Sequence, residues 1–382
     1  MVAVQRILPT EEAGALLELT RDLAENELAP QAAAHEQEAR FPREVFRTLG
    51  KAGLLGLPYD EQWGGGAQPY VVYLQVLEEL SRAWAAVGLG VSVHTLSCFP
   101  LAAFGSREQQ ERWLADMVGG DLLGAYCLSE PDAGSDAAAL ATRAVRDGED
   151  YVVTGTKAWI THAGQADFYN LMVRTGGPGA RGISCLLAEA STPGLTPAAP
   201  ERKMGFSSST TAQIALDGAR VPADRLLGSE GQGFSIAMAA LDGGRLGISA
   251  CAVGLAQAAL DTAVAYARER RQFGSAIIDF QGMSFLLADM ATAIEAGRSL
   301  YLSAAQRRDA GLPFGPQAAM AKLFCTDMAM RVTTDAVQVL GGAGYVQDHP
   351  VERYMREAKV LQIVEGTNQV QRMVVGRHLS HA

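Results

Sequence analysis

The sequence has little charge and no paired cysteines. Only 19% of its 382 residues are charged, and 42 acidic against 32 basic side chains give a net charge of −10. No Lys/Arg-rich block interrupts it, so neither nucleic acid nor an anionic membrane is expected as the main partner. The five cysteines stand singly, without a CxxC pair or a His at metal-ligand spacing. We therefore expect a reduced protein without a disulfide framework or a metal site.

The N-terminal segment lacks the features of a leader. Residues 1–12 contain no apolar core of the usual length and are too acidic for a transit peptide, so we expect a cytoplasmic or already trimmed protein. The longest uncharged stretch, residues 83–106, is long enough to span a bilayer. However, Pro100, Gly88 and His94 make it less apolar than a spanning helix. We predict a pair of buried helices there.

Apolar residues, by contrast, are plentiful at 48% of the chain. This composition excludes disorder as the dominant state. At roughly 150 residues per domain, the length predicts two or three folded units. A large subunit interface would use the surplus of apolar surface.

Periodicity divides the chain into helical, β and helical parts. Apolar residues recur at spacings near 3.6 from residue 10 to about residue 120, which predicts helices. Short β-favouring runs separated by Gly and Pro follow, at residues 151–154, 169–174, 183–187 and 211–216. Helices then return from about Gln232, most clearly over residues 246–270. We predict an α+β protein with an N-terminal helical domain (1–122), a middle antiparallel β domain (123–232) and a C-terminal helical domain (233–382).

Two segments of the β part could contact a ligand. The segment AYCLSEPDAGSD, from Ala125, changes from an apolar run into a loop that contains Pro, Gly and hydroxyl side chains. Such a loop lets the backbone approach a ligand closely and offer it N–H and O–H donors. KAWITHAG, from Lys157, sets a Trp near a Thr, which could stack on a flat ring and bind its edge. The alternative for the first segment is an ordinary strand end, and the alternative for the second is a Trp that packs in the core.

Three further segments that could contact a ligand lie among the later helices. RERRQFG, from Arg268, could bind a pyrophosphate through its arginines, or could simply be a solvated helix end. QVLGGAGY, from Gln338, has consecutive glycines that can end a helix and leave its terminus open. In IVEGTNQ, from Ile363, Glu365 is a carboxylate in apolar company, where burial would raise its pKa and make it a competent base. A solvated loop Glu is the alternative.

Together and in this order, these segments resemble the acyl-CoA dehydrogenase family of flavoproteins. The resemblance covers essentially the whole chain and is carried by AYCLSEPDAGSD, KAWITHAG, RRQFG, QVLGGAGY and VEGTNQVQR. It is strongest toward the short-chain and isobutyryl-CoA members. It implies a C-terminal four-helix bundle, a homotetramer built as a dimer of dimers, and FAD-dependent α,β-dehydrogenation of an acyl-CoA. Electrons would pass to an electron-transfer flavoprotein.

The resemblance also implies the residues that bind FAD. Those along the flavin are Tyr126, Leu128, Ser129, Trp159 and Thr161, and those beside the pyrophosphate are Gly134 and Ser135. The adenine dinucleotide half would lie across a subunit boundary, against Arg270, Gln272, Phe273, Gln281, Gln338, Gly341 and Gly342. Thr367 and Gln369 are further FAD contacts.

Glu365 is the catalytic base that the resemblance implies. It would take the α-proton of the thioester while a hydride leaves the β-carbon for the flavin. Its backbone N–H and a ribityl hydroxyl would stabilise the enolate oxygen. Some relatives place the base one residue before the position of Arg245, but that residue is Gly244 here. The implied substrate contacts are Ser135, Asp242, Arg245, Val364 and Gly366.

Val364 departs from the family pattern, since many straight-chain members have Tyr immediately before the base. The smaller side chain predicts room for a branch at the α-carbon, as in isobutyryl-CoA or 2-methylbutyryl-CoA. A linear substrate such as butyryl-CoA is the alternative. An acyl-CoA oxidase, a DNA-associated flavoprotein and a flavin monooxygenase on the same fold remain as other functions.

Overall fold

The N-terminal part is helical, as predicted. The computed structural model describes residue 4 and residues 6–381. The helices are α1 (Glu11–Leu23), α2 (Ala29–Glu38), α3 (Arg43–Lys51), α4 (Tyr70–Ala83), α5 (Ala85–Phe104) and α6 (Arg107–Val118). The Thr10 hydroxyl accepts a hydrogen bond from the Ala13 N–H at the start of α1, and Ser106 with Gln109 forms a capping box at the start of α6.

The uncharged stretch is a single helix, α5, and the predicted helix pair is wrong. Its glycines do not break it because they stand where a neighbour packs closely. A Cβ at Gly88 would lie 1.9 Å from the Ser81 Oγ, and one at Gly90 would lie 2.4 Å from the Phe46 ring. By length and composition, α5 and the later helix Gly233–Glu269 could each cross a membrane, but 78% of the relevant window of each is buried within the fold. Both therefore serve as core helices here.

The middle part is an eight-stranded sheet. Its strands are β1 (Gly124–Cys127), β2 (Arg143–Asp147), β3 (Asp150–Thr161), β4 (Phe168–Arg174), β5 (Ile183–Glu189), β6 (Leu195–Pro197), β7 (Thr211–Pro222) and β8 (Leu226–Leu227). Their order is β6-β7-β3-β2-β4-β5-β8, and β1 pairs with β4. Most neighbours are antiparallel, but β4 also makes parallel pairs with β1 and β2. The four predicted β runs lie within β3, β4, β5 and β7.

The C-terminal part consists mainly of long helices. It comprises α7 (Gly233–Glu269), a small hairpin of β9 (Arg271–Gln272) and β10 (Ser275–Ala276), α8 (Gln281–Asp309), α9 (Gly315–Leu340), α10 (Gly342–Tyr345), α11 (Val351–Leu361) and α12 (Asn368–His381). Helix α7 begins at Gly233, close to the predicted return of helices near residue 232, and includes most of the clearest predicted stretch, 246–270. At position 247 of this helix a side chain would not fit, because a Cβ there would lie 2.1 Å from the Ser92 Oγ of α5.

One large apolar core joins the two helical parts. It includes Leu77 of α4, Leu255 of α7, Tyr301 of α8 and Met328 of α9. All five cysteines are buried and free. Among the described residues, no group of three or more His, Cys, Asp and Glu could hold a metal ion.

Candidate active site

Glu365 lies in the loop between α11 and α12, beside the backbone of α7. Its φ of +54° falls in the left-handed region that favours glycine, and Gly366 follows with a φ of +85°. A Cβ on Gly244 would lie only 2.8 Å from the Glu365 Oε2. The absent side chain of Gly244 therefore makes the space that the carboxylate occupies.

The Glu365 carboxylate is suited to take up a proton near neutral pH. Its Oε2 is buried and accepts no hydrogen bond from the described residues. Burial raises the pKa of Glu365 to about 7, while the cations Arg245 and Lys322 act in the opposite direction. A free carboxylate oxygen with this pKa has the protonation behaviour that a general base needs.

Side chains from α9 and α12 hold the Glu365 loop. The Lys322 Nζ donates to the Gly366 carbonyl and to the Asn368 Oδ1, both at 2.9 Å. The Gln371 Nε2 donates to the carbonyls of Glu365 at 3.1 Å and Gly366 at 2.8 Å. The backbone N–H of Glu365 donates to none of the described residues, so it remains available to a ligand carbonyl. Burial lowers the pKa of Lys322 to about 7, although Glu365 and Asp327 oppose that shift.

Asp242 and Arg245 form an ion pair on α7, next to Gly244. The Arg245 Nη1 lies 2.5 Å from the Asp242 Oδ1. Arg245 is 6% exposed, and its Nε is buried without a hydrogen-bond partner among the described residues. Burial raises the pKa of Asp242, and Arg245 lowers it in part. A fixed cation with an unpaired donor is therefore available beside Glu365.

A cavity of about 30 Å³ lies along α7 beyond Gly244. Its lining consists mainly of aromatic and small residues, namely Pro58, Tyr59, Tyr70, Ser92, Thr95, Leu96, Phe99, Ala239, Ala240, Gly243, Gly244 and Arg308. Val364, the expected wall residue, is half-buried against the main core and does not line this cavity. Because Gly244 contacts both Glu365 and the cavity, the base and the cavity adjoin.

Tyr126 lies on β1 near the same carboxylate. Its hydroxyl is buried and has no hydrogen-bond partner among the described residues. The pKa of Tyr126 is raised well above its usual value, chiefly by burial and further by the acidic groups Cys185 and Glu365. Tyr126 therefore supplies an uncommitted neutral hydroxyl.

Trp159 projects from the sheet at a bulge in β3. The pairing of β3 with β7 shifts between Lys157 and Ile160, and Trp159 has a φ of +61°. Its side chain is 63% exposed, whereas Thr161 is half-buried. A large exposed aromatic side chain near a hydroxyl suits a flat aromatic ligand such as an isoalloxazine ring.

The loop after β1 is anchored to β3. The Ala158 N–H donates to the Ser129 carbonyl at 2.9 Å, and the Lys157 Nζ pairs with the Glu130 Oε1 at 2.7 Å. Leu128 is buried and Ser129 is half-buried, while Gly134 and Ser135 are exposed. The loop therefore presents a fixed backbone to any ligand that lies against Trp159.

The residues expected to bind the adenine dinucleotide half all lie on the surface. They are Arg270, Gln272, Phe273, Gln281, Gln338, Gly341 and Gly342. Phe273 is 96% exposed, and the one aromatic ring near it in the described part of the chain is Phe280, edge-on at a centroid distance of 6.1 Å. A Cβ on Gly341 or Gly342 would meet nothing within 4 Å, so this backbone is open to a ligand. Closer to Glu365, Thr367 is half-buried at the start of α12 and Gln369 is exposed.

Three family models match the chain, in the order of its three structural parts. They describe the N-terminal, middle and C-terminal domains of acyl-CoA dehydrogenase and match residues 10–121, 125–219 and 231–380. An acyl-CoA dehydrogenase of Bacillus subtilis is 45% identical, over 97% of this chain and 98% of its own. The chain belongs to the acyl-CoA dehydrogenase family. The family resemblance and the helical–β–helical fold predicted from the sequence are thereby confirmed.

Relatives within the acyl-CoA dehydrogenase family include short-chain enzymes. The mitochondrial short-chain specific enzyme of Bos taurus is 44% identical, over 95% of this chain and 89% of its own. Butyryl-CoA dehydrogenase from Megasphaera elsdenii matches with a TM-score of 0.96 at 40% identity, over 98% of this chain and all of its own. A chain from the structure of the electron transferring flavoprotein of Acidaminococcus fermentans matches with a TM-score of 0.97 at 42% identity, over 99% and 100% of the two chains. This protein is accordingly an acyl-CoA dehydrogenase enzyme of the flavoprotein oxidoreductases.

Sequence reasoning missed three residues of this candidate site. Lys322 is buried among Ala319, Ala321 and Cys325 of α9, and a lone Lys in such an apolar run was the available signal. Tyr70 and Arg308 line the cavity from two helices that are distant in the sequence. No local pattern indicates that they meet.

Proposed function

We propose that the protein catalyses the FAD-dependent α,β-dehydrogenation of a short-chain acyl-CoA, with Glu365 as the base. The observation that carries this proposal is the buried Glu365 Oε2, which has no hydrogen-bond partner among the described residues and adjoins the cavity along α7. Its raised pKa, about 7, suits removal of a weakly acidic α-proton.

The residues around Glu365 have distinct tasks in this proposal. The Glu365 Oε2 removes the α-proton, and the free backbone N–H of the same residue donates to the thioester carbonyl, where negative charge develops. Asp242, Arg245 and Ser135 bind the CoA part, and Gly366 and Val364 are further substrate contacts. The aromatic cavity excludes water from the acyl chain, which strengthens these interactions.

FAD fits the surfaces that flank this site. FAD bound there would supply the hydride acceptor. Trp159 and Thr161 would hold the ring from one side, and the loop from Tyr126 to Ser135 from the other. The adenine dinucleotide half would lie on the open surface around Phe273 and Gly341, against a second subunit. The exposure of Phe273, 96%, supports that placement.

A short acyl chain is favoured by the aromatic walls of the cavity. Its volume is about 30 Å³, and the aromatic rings of Tyr59, Tyr70 and Phe99 wall it. The named activities of the bovine and Megasphaera relatives agree with that limit.

A branch at the α-carbon is the finer part of the proposal. It is supported by Val364, which directly precedes Glu365 and is smaller than the Tyr that many straight-chain members have there, although its side chain packs against the main core rather than lining the cavity. We expect a higher kcat/KM for isobutyryl-CoA than for butyryl-CoA on the purified enzyme. A strong preference for butyryl-CoA would instead assign the enzyme to the straight-chain type.

Reduction of the bound cofactor by substrate tests the main proposal. We expect the purified protein to contain FAD and its flavin absorbance to bleach when a short-chain acyl-CoA is added anaerobically. Electron-transfer flavoprotein, the proposed acceptor, should then restore the absorbance. Persistent bleaching in air is expected for a dehydrogenase, whereas rapid recovery in air would favour an oxidase. Absence of bleaching with every acyl-CoA of two to eight carbons would contradict the proposal.

A further inference from the structure

We propose that the cavity beyond Gly244 receives an acyl chain whose distal end carries a carboxylate, and that Arg308 binds this carboxylate. The inference rests on the proposed function, because it takes the cavity to be the acyl site. It assigns Arg308 as a specificity-determining residue.

Arg308 reaches the cavity from the last turn of α8. Its Cζ lies 3.4 Å from the centroid of the Tyr70 ring, so the guanidinium stacks on this ring. Its Nη1 lies 3.1 Å from the position that a Cβ on Gly243 would occupy. Both Tyr70 and Gly243 line the cavity, which places the guanidinium in its wall.

The Arg308 Nη1 is buried and has no hydrogen-bond partner among the described residues. The adjacent carboxylate of Asp309 is already engaged, because its two oxygens accept the backbone N–H groups of Tyr70 at 2.7 Å and Val71 at 3.1 Å. A buried guanidinium nitrogen without an acceptor is costly, and a ligand carboxylate would remove that cost.

The two tyrosine hydroxyls of the wall already donate to backbone carbonyls. The Tyr70 hydroxyl donates to the Gly243 carbonyl at 3.1 Å, and the Tyr59 hydroxyl donates to the Thr95 carbonyl at 2.5 Å. Arg308 therefore holds an uncommitted donor with a positive charge. Since its face stacks on Tyr70, its edge remains free for the planar contact that carboxylates make with arginine.

Glu365 and Arg308 lie beside consecutive residues of α7. Glu365 contacts Gly244, whereas Arg308 contacts Gly243, the preceding residue of α7. An acyl group with its α-carbon at Glu365 thus needs only a few further carbons to reach the guanidinium. A purely apolar chain of that length would leave the Arg308 Nη1 without a partner.

Binding of matched acyl-CoA pairs tests this inference without relying on turnover. Succinyl-CoA and glutaryl-CoA are each compared with the analogue in which an isopropyl group replaces the carboxylate, 4-methylpentanoyl-CoA and 5-methylhexanoyl-CoA. Affinities are measured by calorimetry on the FAD-loaded Glu365→Gln enzyme, alone and combined with Arg308→Met or with the control Arg307→Met. Arg307 has the same charge, precedes Arg308 on α8 and does not line the cavity.

We expect at least one carboxylate ligand to bind more tightly than its isopropyl analogue. Arg308→Met should weaken its binding about 30-fold or more while leaving the analogue unchanged or tighter, and Arg307→Met should change neither. Equal or weaker binding of both carboxylates relative to their analogues would overturn the inference. An equal loss for both members of a pair in Arg308→Met would also overturn it. Failure of the proposed function appears separately, as absence of flavin bleaching by any acyl-CoA in the wild-type enzyme.

Discussion

At the scale of single residues, the candidate site contains backbone conformations that non-glycine residues rarely adopt. Glu365 and Trp159 have φ values of +54° and +61°, although neither is glycine. Such conformations cost about 1–3 kcal/mol each and persist only where surrounding contacts impose them. Here the contacts are the hydrogen bonds of Lys322 and Gln371 to the Glu365 loop and the bulge in β3. Both residues are thereby held where the proposed chemistry needs them.

The pKa of Glu365 predicts how activity depends on pH. Burial raises this pKa to about 7, and a base must be ionised to act. We expect kcat/KM for a short-chain acyl-CoA to fall about tenfold per pH unit below that value and to level off above it. The measurement is a kcat/KM profile from pH 5.5 to 8.5 with a dye acceptor. A flat profile through this range would contradict the assignment of Glu365.

Gly244 gives a second prediction at this scale. In Gly244→Ala, the new Cβ would meet the Glu365 Oε2 at 2.8 Å, so the carboxylate must move. We expect kcat to fall by about 10- to 100-fold, since small displacements of a catalytic group are costly. Gly14→Ala in α1 is the control, because a Cβ there meets nothing within 4 Å. Unchanged kcat in Gly244→Ala would show that the carboxylate is not confined there.

At the scale of elements, the loop between α11 and α12 depends on α9 for its conformation. Lys322 joins the two through hydrogen bonds to Gly366 and Asn368. It is buried, and it also lowers the pKa of Glu365. Lys322 is therefore a positioning residue for the proposed base.

Lys322→Met should affect the base in two measurable ways. We expect kcat to fall about tenfold or more with a small change in KM, because the loop loses two hydrogen bonds from a charged group. The pH midpoint of kcat/KM should also rise, because a cation near Glu365 is removed. Lys359→Met, at an exposed position of α11, is the control. A lower kcat without a shifted midpoint would reduce Lys322 to a structural role.

Individual elements also show how far the sequence predicts the structure. The short runs between Gly and Pro clusters predicted β3, β4, β5 and β7, because β-branched and aromatic residues favour strands. The sequence predicted that helices return from about residue 232, but it did not predict one unbroken helix through Gly243 and Gly244. Their role depends on Tyr70, Arg308 and Glu365, which approach from elsewhere in the chain. The bulge that exposes Trp159 likewise depends on the pairing of β3 with β7.

At the scale of the whole molecule, the apolar surplus of the sequence is only partly buried in the chain. Several large apolar side chains of the C-terminal helices remain exposed, namely Phe273, Phe280, Phe285, Leu300, Met320, Phe324, Tyr345 and Val346. A surface of this kind is typical of a subunit interface. It supports the proposed tetramer, in which FAD would lie between two subunits.

Phe273 tests the link between assembly and cofactor binding. In Phe273→Ala, we expect the FAD content of the purified protein to fall to less than about half, because the exposed ring would no longer cover the dinucleotide. Val145→Ala on β2 is the control, since this apolar residue is 50% exposed in a different part of the molecule. FAD content is measured by absorbance and subunit number by light scattering. Full FAD occupancy in Phe273→Ala would contradict binding across the interface.

The central claim, that Glu365 is the base, is tested most directly by anaerobic stopped-flow reduction of the bound flavin. The measurement compares wild type with Glu365→Gln at saturating short-chain acyl-CoA. The substitution keeps the size of the side chain and removes its proton affinity. We predict unchanged FAD content, retained acyl-CoA binding and a reduction rate about 100- to 10,000-fold lower, as expected on loss of a general base. A reduction rate in Glu365→Gln close to that of wild type would contradict the claim.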